Sequence, residues 1–207
     1  MSFQYKGSTT FSCNYQCMQC SAQTKNETRC KRTTCKYLPY CYTHLKSIKG
    51  VVVKPSAIPN AGDGLYALKK FKPGDKILDY TGEVLNLEQR NKRYGTSPSD
   101  YAPYGLETKS TPPVKIVDAA CKRCAAAYAN DRRGQPPQVV NNAKLATHQG
   151  KGSLKAIKNI NPGQEIYVGY GPAYWAHLNQ ENTPTVLNKK GKVKNPTYIV
   201  QAGEEVQ

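Results

Sequence analysis

Short apolar runs separated by turn-forming residues constrain the middle of this 207-residue chain most strongly. Residues 51–58 (VVVKPSAI), 64–71 (GLYALKKF) and 76–85 (KILDYTGEVL) have the β-branched and aromatic composition of short strands. Pro-Asn-Ala-Gly-Asp-Gly and Lys-Pro-Gly-Asp separate them, and such sequences form turns. Residues 152–157 and 164–171 return to the same pattern around Ile-Asn-Pro-Gly-Gln. The sequence therefore predicts a mainly β domain.

Two segments of the same region predict short helices. Residues 85–95 (LNLEQRNKRYG) can form one, and residues 118–130 (DAACKRCAAAYAN), with an alanine run and Asp118 as a candidate N-cap, can form another. We therefore expect a basic, cysteine-rich module over residues 1–49, a β-rich domain over residues 50–175 and a polar, basic extension over residues 176–207.

Charge and hydropathy limit the class of protein. No apolar run approaches the length of a membrane span, and the polar first ten residues lack the apolar stretch of a signal peptide, so we expect an intracellular protein with no membrane partner. The formal net charge is +16, which favours anionic partners such as nucleic acid and also aids solubility.

Six of the eight cysteines lie in the first fifth of the chain and are followed at once by His44. In an intracellular protein this clustering indicates metal binding rather than disulfides. Cys17 and Cys20 form a C-x2-C pair, and Cys41 and His44 form a C-x2-H pair. Each spacing lets two ligands bind one tetrahedral Zn²⁺, around which a segment poor in apolar residues can fold. The alternative is a reduced, mobile leader.

The choice of zinc ligands rests on a resemblance. The segment resembles small Cys-x9-Cys…Cys-x2-His modules of large DNA viruses and some protists, which implies Cys20, Cys30, Cys41 and His44 as ligands, with Cys17 or Cys35 as alternates. A closed four-ligand site is structural, and its lysines and arginines could dock on DNA or RNA. Cys121-x2-Cys124 predicts two packed thiols, with a shared zinc or a redox pair as alternatives.

Three separated patches of the middle segment carry motifs that belong together: NAGDGLYALKKFKPGDKILDYTGEVL, KIVDAACKRCAAAYANDRR…NNAKL and SLKAIKNINPGQEIYVGYG. In this order and spacing they resemble the SET domain of protein lysine methyltransferases. The first patch carries the family's Gly-x-Gly-Leu-x-Ala, Pro-Gly-x-x-Ile and Tyr-x-Gly-Glu at Gly62, Gly64, Leu65, Ala67, Pro73, Gly74, Ile77, Tyr80, Gly82 and Glu83. The resemblance implies small β-sheets with a pseudoknot and transfer of a methyl group from S-adenosylmethionine to lysine.

The same resemblance assigns the site residues. Tyr170 takes the catalytic position, and Tyr101 and Val168 are assigned to the substrate channel, where Tyr101 competes with Tyr104. The residues assigned to the cofactor are Gly62, Asp63, Gly64, Leu65, Tyr104, Tyr128, Asn130, Asp131 and Trp175. Trp175 would cover the adenine by stacking, and the alternative for it is a core plug.

The middle patch departs from the family's Arg-Phe-x-Asn-His-Ser. Asn130 is kept, whereas Ala127 replaces the arginine and Asp131 replaces the histidine; the Asp131 carboxylate could bind the cofactor's amino group. These changes motivate an alternative, a SET-fold zinc protein with weakened catalysis that binds nucleic acid or chromatin.

The resemblance also implies partners and a location. It implies a histone or histone-like tail as substrate, with a non-histone protein as the alternative, and DNA or nucleosome contact through the basic surface. The nucleus or a viral replication compartment would fit such a substrate. The oligomeric state stays open, and a homodimer is compatible with the sequence.

Overall fold

The computed structural model describes most of the chain up to residue 171, namely residues 2–4, 10–13, 17–34, 38–96, 102, 104–132 and 138–171. Cys35, Tyr101, Trp175 and the predicted extension 176–207 lie outside these residues. The strands are β1 Ser2–Gln4, β2 Thr10–Ser12, β3 Met18–Gln19, β4 Thr33–Thr34, β5 Val51–Pro55, β6 Asp63–Ala67, β7 Lys76–Tyr80, β8 Glu83–Leu85, β9 Gly105–Lys109, β10 Lys115–Asp118, β11 Ala143–His148 and β12 Lys151–Ala156.

The helices within the described residues are few and short. They are α1 Tyr42–His44, which continues as a π-helical turn over Leu45–Lys49, α2 Leu87–Tyr94, and a 3-10 turn over Ala125–Tyr128. In the part of the chain that the structure describes, no helix is long and apolar enough to cross a membrane. The predicted mainly β class with short helices is confirmed.

The strands form small antiparallel sheets rather than one large sheet. In the part of the chain that the structure describes, two sheets have three strands, in the orders β8-β10-β9 and β11-β12-β7, and three pairs join β1 to β2, β3 to β4 and β5 to β6. In β12 the residues Gly152, Leu154 and Ala156 point inward while their neighbours are more exposed, as the two-residue period of a strand requires. Leu154 is fully buried, which contributes about 1.5–3 kcal/mol.

The segment 165–168 is interleaved between earlier parts of the chain. Ile166 N–H donates to Leu65 O at 2.7 Å, and Val168 N–H donates to Asn130 O at 2.9 Å. The carbonyl of Tyr167 accepts from Ala143 N–H at 2.9 Å. The continuous strand predicted for residues 164–171 is therefore wrong: the segment makes isolated bridges because it pairs with three different partners in turn.

Helix α2 forms where the sequence predicts one. Asn86 caps it, and the side chain of Gln89 accepts from the Asn86 N–H in return, which satisfies two exposed backbone donors. The second predicted helix, over 118–130, is wrong except for the 3-10 turn. Asp118 ends β10, and its buried carboxylate accepts from Arg93 Nη1 and Tyr94 Oη at 2.7 Å each. That carboxylate ties α2 to β10 instead of capping a helix.

A disulfide joins Cys13 to Cys121 across 108 residues of sequence. Their Cα atoms lie 5.2 Å apart, which is within the range for a disulfide. Cys17 is disulfide-bonded as well. The expectation that the cysteines serve metal rather than disulfides is thus wrong for these residues. The expected pair of packed thiols is also wrong, because Cys121 is oxidised while Cys124 is a buried free thiol.

Candidate functional site

The four residues predicted first as zinc ligands lie together. The ligand atoms of Cys20, Cys30, Cys41 and His44 all lie within 4.8 Å of one another. The Sγ atoms of Cys20 and Cys41 lie 3.5 and 3.3 Å from His44 Nδ1. Ligands about 2.0–2.3 Å from a tetrahedral zinc are separated by about 3.3–3.8 Å, so the group fits Zn²⁺. Three sulfurs and one imidazole also suit that metal.

Backbone hydrogen bonds hold these ligands in position. Cys20 N–H donates to Arg32 O and Cys30 N–H donates to Ala22 O, each at 2.8 Å, which closes the loop between β3 and β4. Burial raises the pKa of Cys41, but hydrogen bonds with His44 and the two other thiols outweigh it and lower that pKa to about 7. One thiolate is therefore readily formed at neutral pH, as metal binding requires.

The alternate ligand Cys17 does not join this group. It is exposed and disulfide-bonded, whereas the three clustered cysteines are buried free thiols.

A cleft of about 440 Å³ lies between β7, β9, β10 and the segments 126–129 and 168–170. Its lining is mostly small, apolar or aromatic: Tyr80, Arg90, Ala102, Tyr104, Gly105, Leu106, Glu107, Ile116, Ala126, Ala127, Ala129, Leu145, Val168, Gly169 and Tyr170. The structure thus brings together three residues that the sequence assigned to one site, Tyr104, Val168 and Tyr170.

Tyr170 is held at both ends by the segment 129–131. Its hydroxyl donates to Ala129 O at 3.1 Å, and its backbone N–H donates to Asp131 Oδ2 at 2.8 Å. With its amide oriented to satisfy both contacts, Asn141 donates to Val168 O and accepts from Gly169 N–H. Asp131, at the position of the family's histidine, therefore supports the backbone of the tyrosine.

Tyr80, the last residue of β7, and Tyr104, which directly precedes β9, form part of the wall of the cleft. Tyr80 Oη donates to Tyr104 O at 2.9 Å, and burial raises the pKa of Tyr80 well above its usual value, so it stays protonated. The Arg123 guanidinium stacks 4.0 Å from the Tyr104 ring and 5.4 Å from the Tyr128 ring. Sequence reasoning used Tyr80 only as part of the Tyr-x-Gly-Glu motif and missed its place in the cleft.

The predicted glycine segment and Asn130 lie outside the lining of this cleft. Asn130 is buried, and its Nδ2 donates to Asp63 O at 3.2 Å, so these two assigned residues are in contact. Gly62 has a φ of +67°, which favours glycine. At Gly64 a Cβ would lie 2.2 Å from Glu165 Oε1. Because Gly64 has no side chain, the carboxylate of Glu165 can occupy this space.

Glu165 was not singled out by the sequence, yet it is a centre of this region. Its side chain is buried, and its two oxygens accept five hydrogen bonds. The donors are Ser56 Oγ, Ala57 N, Tyr66 Oη, Asn130 Nδ2 and Tyr167 Oη, at 2.6, 2.8, 2.9, 3.3 and 2.9 Å. The carboxylate therefore fastens the loop before β6, β6 itself and Asn130 to the interleaved segment.

Small antiparallel sheets, the interleaved segment 165–168 and a tyrosine-lined cleft define a β-rich domain with a candidate site. The chain belongs to the SET-domain family, because the family model described as "SET domain" matches residues 62–171, more than half of the chain. The fold that the motifs predicted is thereby confirmed.

Known relatives are similar over part of their length. The histone-lysine N-methyltransferase EZH2 of Chaetomium thermophilum is 24% identical over 127 residues, which are 59% of this chain and 8% of that protein. The methyltransferase domain of human PR domain-containing protein 2 is 21% identical with a TM-score of 0.45, covering 59% of this chain and 78% of that one. A C. thermophilum Polycomb Repressive Complex 2 structure with H3K27me3 and H3K27M is 23% identical with a TM-score of 0.49, covering 72% and 17%. The chain thus spans less than a tenth of EZH2.

Proposed function

We propose that this protein is an S-adenosylmethionine-dependent protein-lysine N-methyltransferase with a zinc-binding N-terminal module. The observation that carries the proposal is the position of Tyr170, which meets the cleft while the segment 129–131 fixes both its hydroxyl and its backbone. The residue has the geometry of a positioned hydroxyl rather than of a core aromatic, because it is only partly buried.

The hydroxyl oxygen of Tyr170 can accept hydrogen bonds from ligands. Its proton is directed at Ala129 O, so the oxygen lone pairs remain for other donors. S-adenosylmethionine, when bound, supplies a methyl group on a sulfonium, and polarised C–H groups of that kind are weak donors to oxygen. The same lone pairs can accept an N–H of the substrate amine and turn its own lone pair toward the methyl carbon.

The cleft favours the neutral form of a lysine. At pH 7 only about one free lysine amine in two thousand is neutral, because its pKa is about 10.4. Ile116, Leu145, Val168 and the alanines at 126, 127 and 129 give the cleft an apolar lining. Desolvation by such a lining disfavours the ammonium and lowers the pKa of the amine. The amine enters in the form that can act as a nucleophile.

The departures from the family motif are compatible with this role. Ala127 replaces a large cation by a methyl group and widens the lining, and Asp131 still supports Tyr170 through its carboxylate. These contacts favour the enzyme over the alternative, a SET-fold zinc protein with weakened catalysis. Binding of S-adenosylmethionine discriminates the two, and we propose Gly62–Leu65, Tyr104, Tyr128, Asn130, Asp131 and Trp175 for that role.

The substrate we propose is a lysine in a histone or histone-like tail. The similarity to a histone-lysine N-methyltransferase supports this choice, and the nucleus or a viral replication compartment would provide such a substrate.

Val168 is buried in the cleft wall beside Tyr170 and Tyr104, so these residues and Tyr101 are the proposed channel. Residues 1–49 would form the zinc module and residues 50–175 the catalytic domain.

The test is methyl transfer from radiolabelled S-adenosylmethionine to core histones, with ribosomal proteins as the competing substrate. Tyr170→Phe should lose about 100-fold in rate because the amine is no longer positioned, while calorimetry shows cofactor binding within about threefold of wild type. Tyr167→Phe is the matched control, since Tyr167 contacts Glu165 and does not line the cleft. A wild type that binds no S-adenosylmethionine contradicts the enzyme, and a fully active Tyr170→Phe contradicts the site.

A further inference from the structure

A basic surface surrounds the helical segment that follows Cys41. Residue Tyr42 is 60% exposed, and Lys46 Nζ lies 3.9 Å from the centroid of its ring. Lys49 lies on the last turn of the same segment, and Arg32 donates to Thr43 Oγ1 from the neighbouring hairpin. An aromatic ring with cations beside it is thus presented to solvent.

The surface continues onto the SET domain through Lys69. A Cβ at Gly50 would lie 2.6 Å from Lys69 Cδ, so the aliphatic stem of Lys69 passes directly over Gly50. Since Gly50 directly follows Lys49, the two lysines are brought near each other. Leu68 N–H donates to Gly50 O at 2.8 Å, which fixes this approach. We call Arg32, Tyr42, Lys46, Lys49 and Lys69 the α1 patch.

The segments of the chain that carry the α1 patch have a strong excess of cations over acids. Residues 17–34 and 38–72 contain ten lysines and arginines but only two acidic residues, Glu27 and Asp63. The ten are Lys25, Arg29, Lys31, Arg32, Lys46, Lys49, Lys54, Lys69, Lys70 and Lys72. Within these described ranges none of the ten forms an ion pair, whereas Lys76, just beyond them, pairs with Asp79 at 2.9 Å. Repulsion among these cations is relieved when a polyanion binds.

The module holds the patch in a fixed place. Cys41 and His44 flank the first turn of the helical segment, and both belong to the ligand cluster described above. Arg29 is not part of the patch, because its guanidinium donates to Cys20 O and Gln19 O at 3.1 and 3.0 Å and so serves the fold of the module. The patch is therefore part of a folded surface rather than of a basic tail.

We propose that the α1 patch binds the phosphate backbone of double-helical DNA. Duplex DNA presents one negative charge per about 1.7 Å of its axis, so each cation of a compact patch can reach a phosphate. A duplex fits better than a single strand, because binding of unstacked bases needs a series of exposed rings and the patch offers one. Such contacts position a protein without reading sequence. This binding is independent of the proposed methyl transfer.

The experiment compares two triple variants of the full chain that remove equal charge. Affinity for a short duplex of arbitrary sequence is measured by fluorescence anisotropy over a range of salt concentrations. The test variant carries Lys46→Gln, Lys49→Gln and Lys69→Gln, and the control carries Lys144→Gln, Lys151→Gln and Lys158→Gln, three exposed lysines of the β11–β12 region.

We expect DNA affinity to fall when lysines of the α1 patch are replaced and to stay nearly unchanged when the control lysines are replaced. The test variant should bind at least about tenfold more weakly, and its slope of log affinity against log salt should fall by about 2.7, or 0.9 for each lost phosphate contact. The control should change affinity less than threefold. Equal losses in both variants, tighter binding of a single strand or of RNA, or no wild-type binding to DNA would each overturn the proposal.

Methyl transfer to a DNA-free histone peptide should be the same in both variants. That readout separates failure of DNA binding from failure of the proposed enzyme, and thermal unfolding of each variant checks that the fold is intact.

Discussion

The buried carboxylate of Glu165 provides the sharpest test of how this fold is held together. It accepts five hydrogen bonds, and in the described residues none of the donors is cationic. Replacement by glutamine keeps the shape and removes the charge. The Oε2 position can keep its three donors, but the amide nitrogen must then face Asn130 Nδ2, so that two donors oppose each other.

The stability lost in Glu165→Gln follows from replacing a charged acceptor by a neutral one. Hydrogen bonds to a charged group contribute about 1.5–3 kcal/mol each and neutral ones about 0.5–1.5, so three weakened bonds lose about 3 kcal/mol. The opposed donors add about 1 kcal/mol, and the relief of burying a charge offsets part of the sum. Glu165→Gln should therefore lower the free energy of unfolding by about 2–4 kcal/mol, a large share of a total of about 5–15 kcal/mol.

The measurement is urea unfolding followed by circular dichroism, with Glu88→Gln as a control on the exposed first turn of α2, expected within about 0.5 kcal/mol of wild type. Tyr66→Phe adds a double-mutant cycle, because Tyr66 Oη donates to Glu165 Oε2. A loss below about 1 kcal/mol for Glu165→Gln, or an equal cost of Tyr66→Phe in both backgrounds, would refute the central role of the carboxylate.

Two further predictions concern the metal and the tyrosines. Metal analysis should find about one zinc per chain; Cys30→Ser should lose it, whereas Cys124→Ser should keep it, and zinc bound by the Cys30 variant would contradict the ligand assignment. Burial and hydrogen bonding to Glu165 raise the pKa of Tyr66 to about 12, so its contribution to stability is complete below about pH 10 and is lost as the pH rises through 12. Alkaline titration of tyrosinate absorbance should show a late phase, to which Tyr80 and Tyr167 also contribute because burial raises their pKa values. Tyr66→Phe should reduce the amplitude of that phase by one tyrosine, and an unchanged amplitude would disprove the assignment.

Local patterns account for most of what the sequence predicted correctly. The turn-separated apolar runs predicted small sheets, and the Gly-x-Gly, Pro-Gly and Tyr-x-Gly-Glu motifs predicted the SET fold. The short helix predicted over residues 85–95 likewise forms, as α2 Leu87–Tyr94. For the site, the structure brings Tyr104, Val168 and Tyr170 to one cleft, and their roles stay predictions.

Long-range contacts explain what the sequence could not show. The alanine run before Tyr128 has the composition of a helix, yet every residue of Ala125–Ala129 is buried, and packing against several elements overrides local propensity. The partner of Cys121 lies 108 residues away. Glu165 stands in an ordinary strand-like pattern, and its importance appears only once Ser56 and Tyr66 are brought beside it.

The interleaving of the segment 165–168 has a consequence for the folding of the molecule. Ser56 and Glu165 are 109 residues apart, and Tyr170 depends on contacts with residues about forty positions earlier. Closing such distant contacts is slow because the loop entropy must be overcome first. The cleft is therefore expected to be completed in the last stage of folding, and a truncated chain that stops before residue 165 would keep its hairpins but could not assemble the position that Tyr170 occupies.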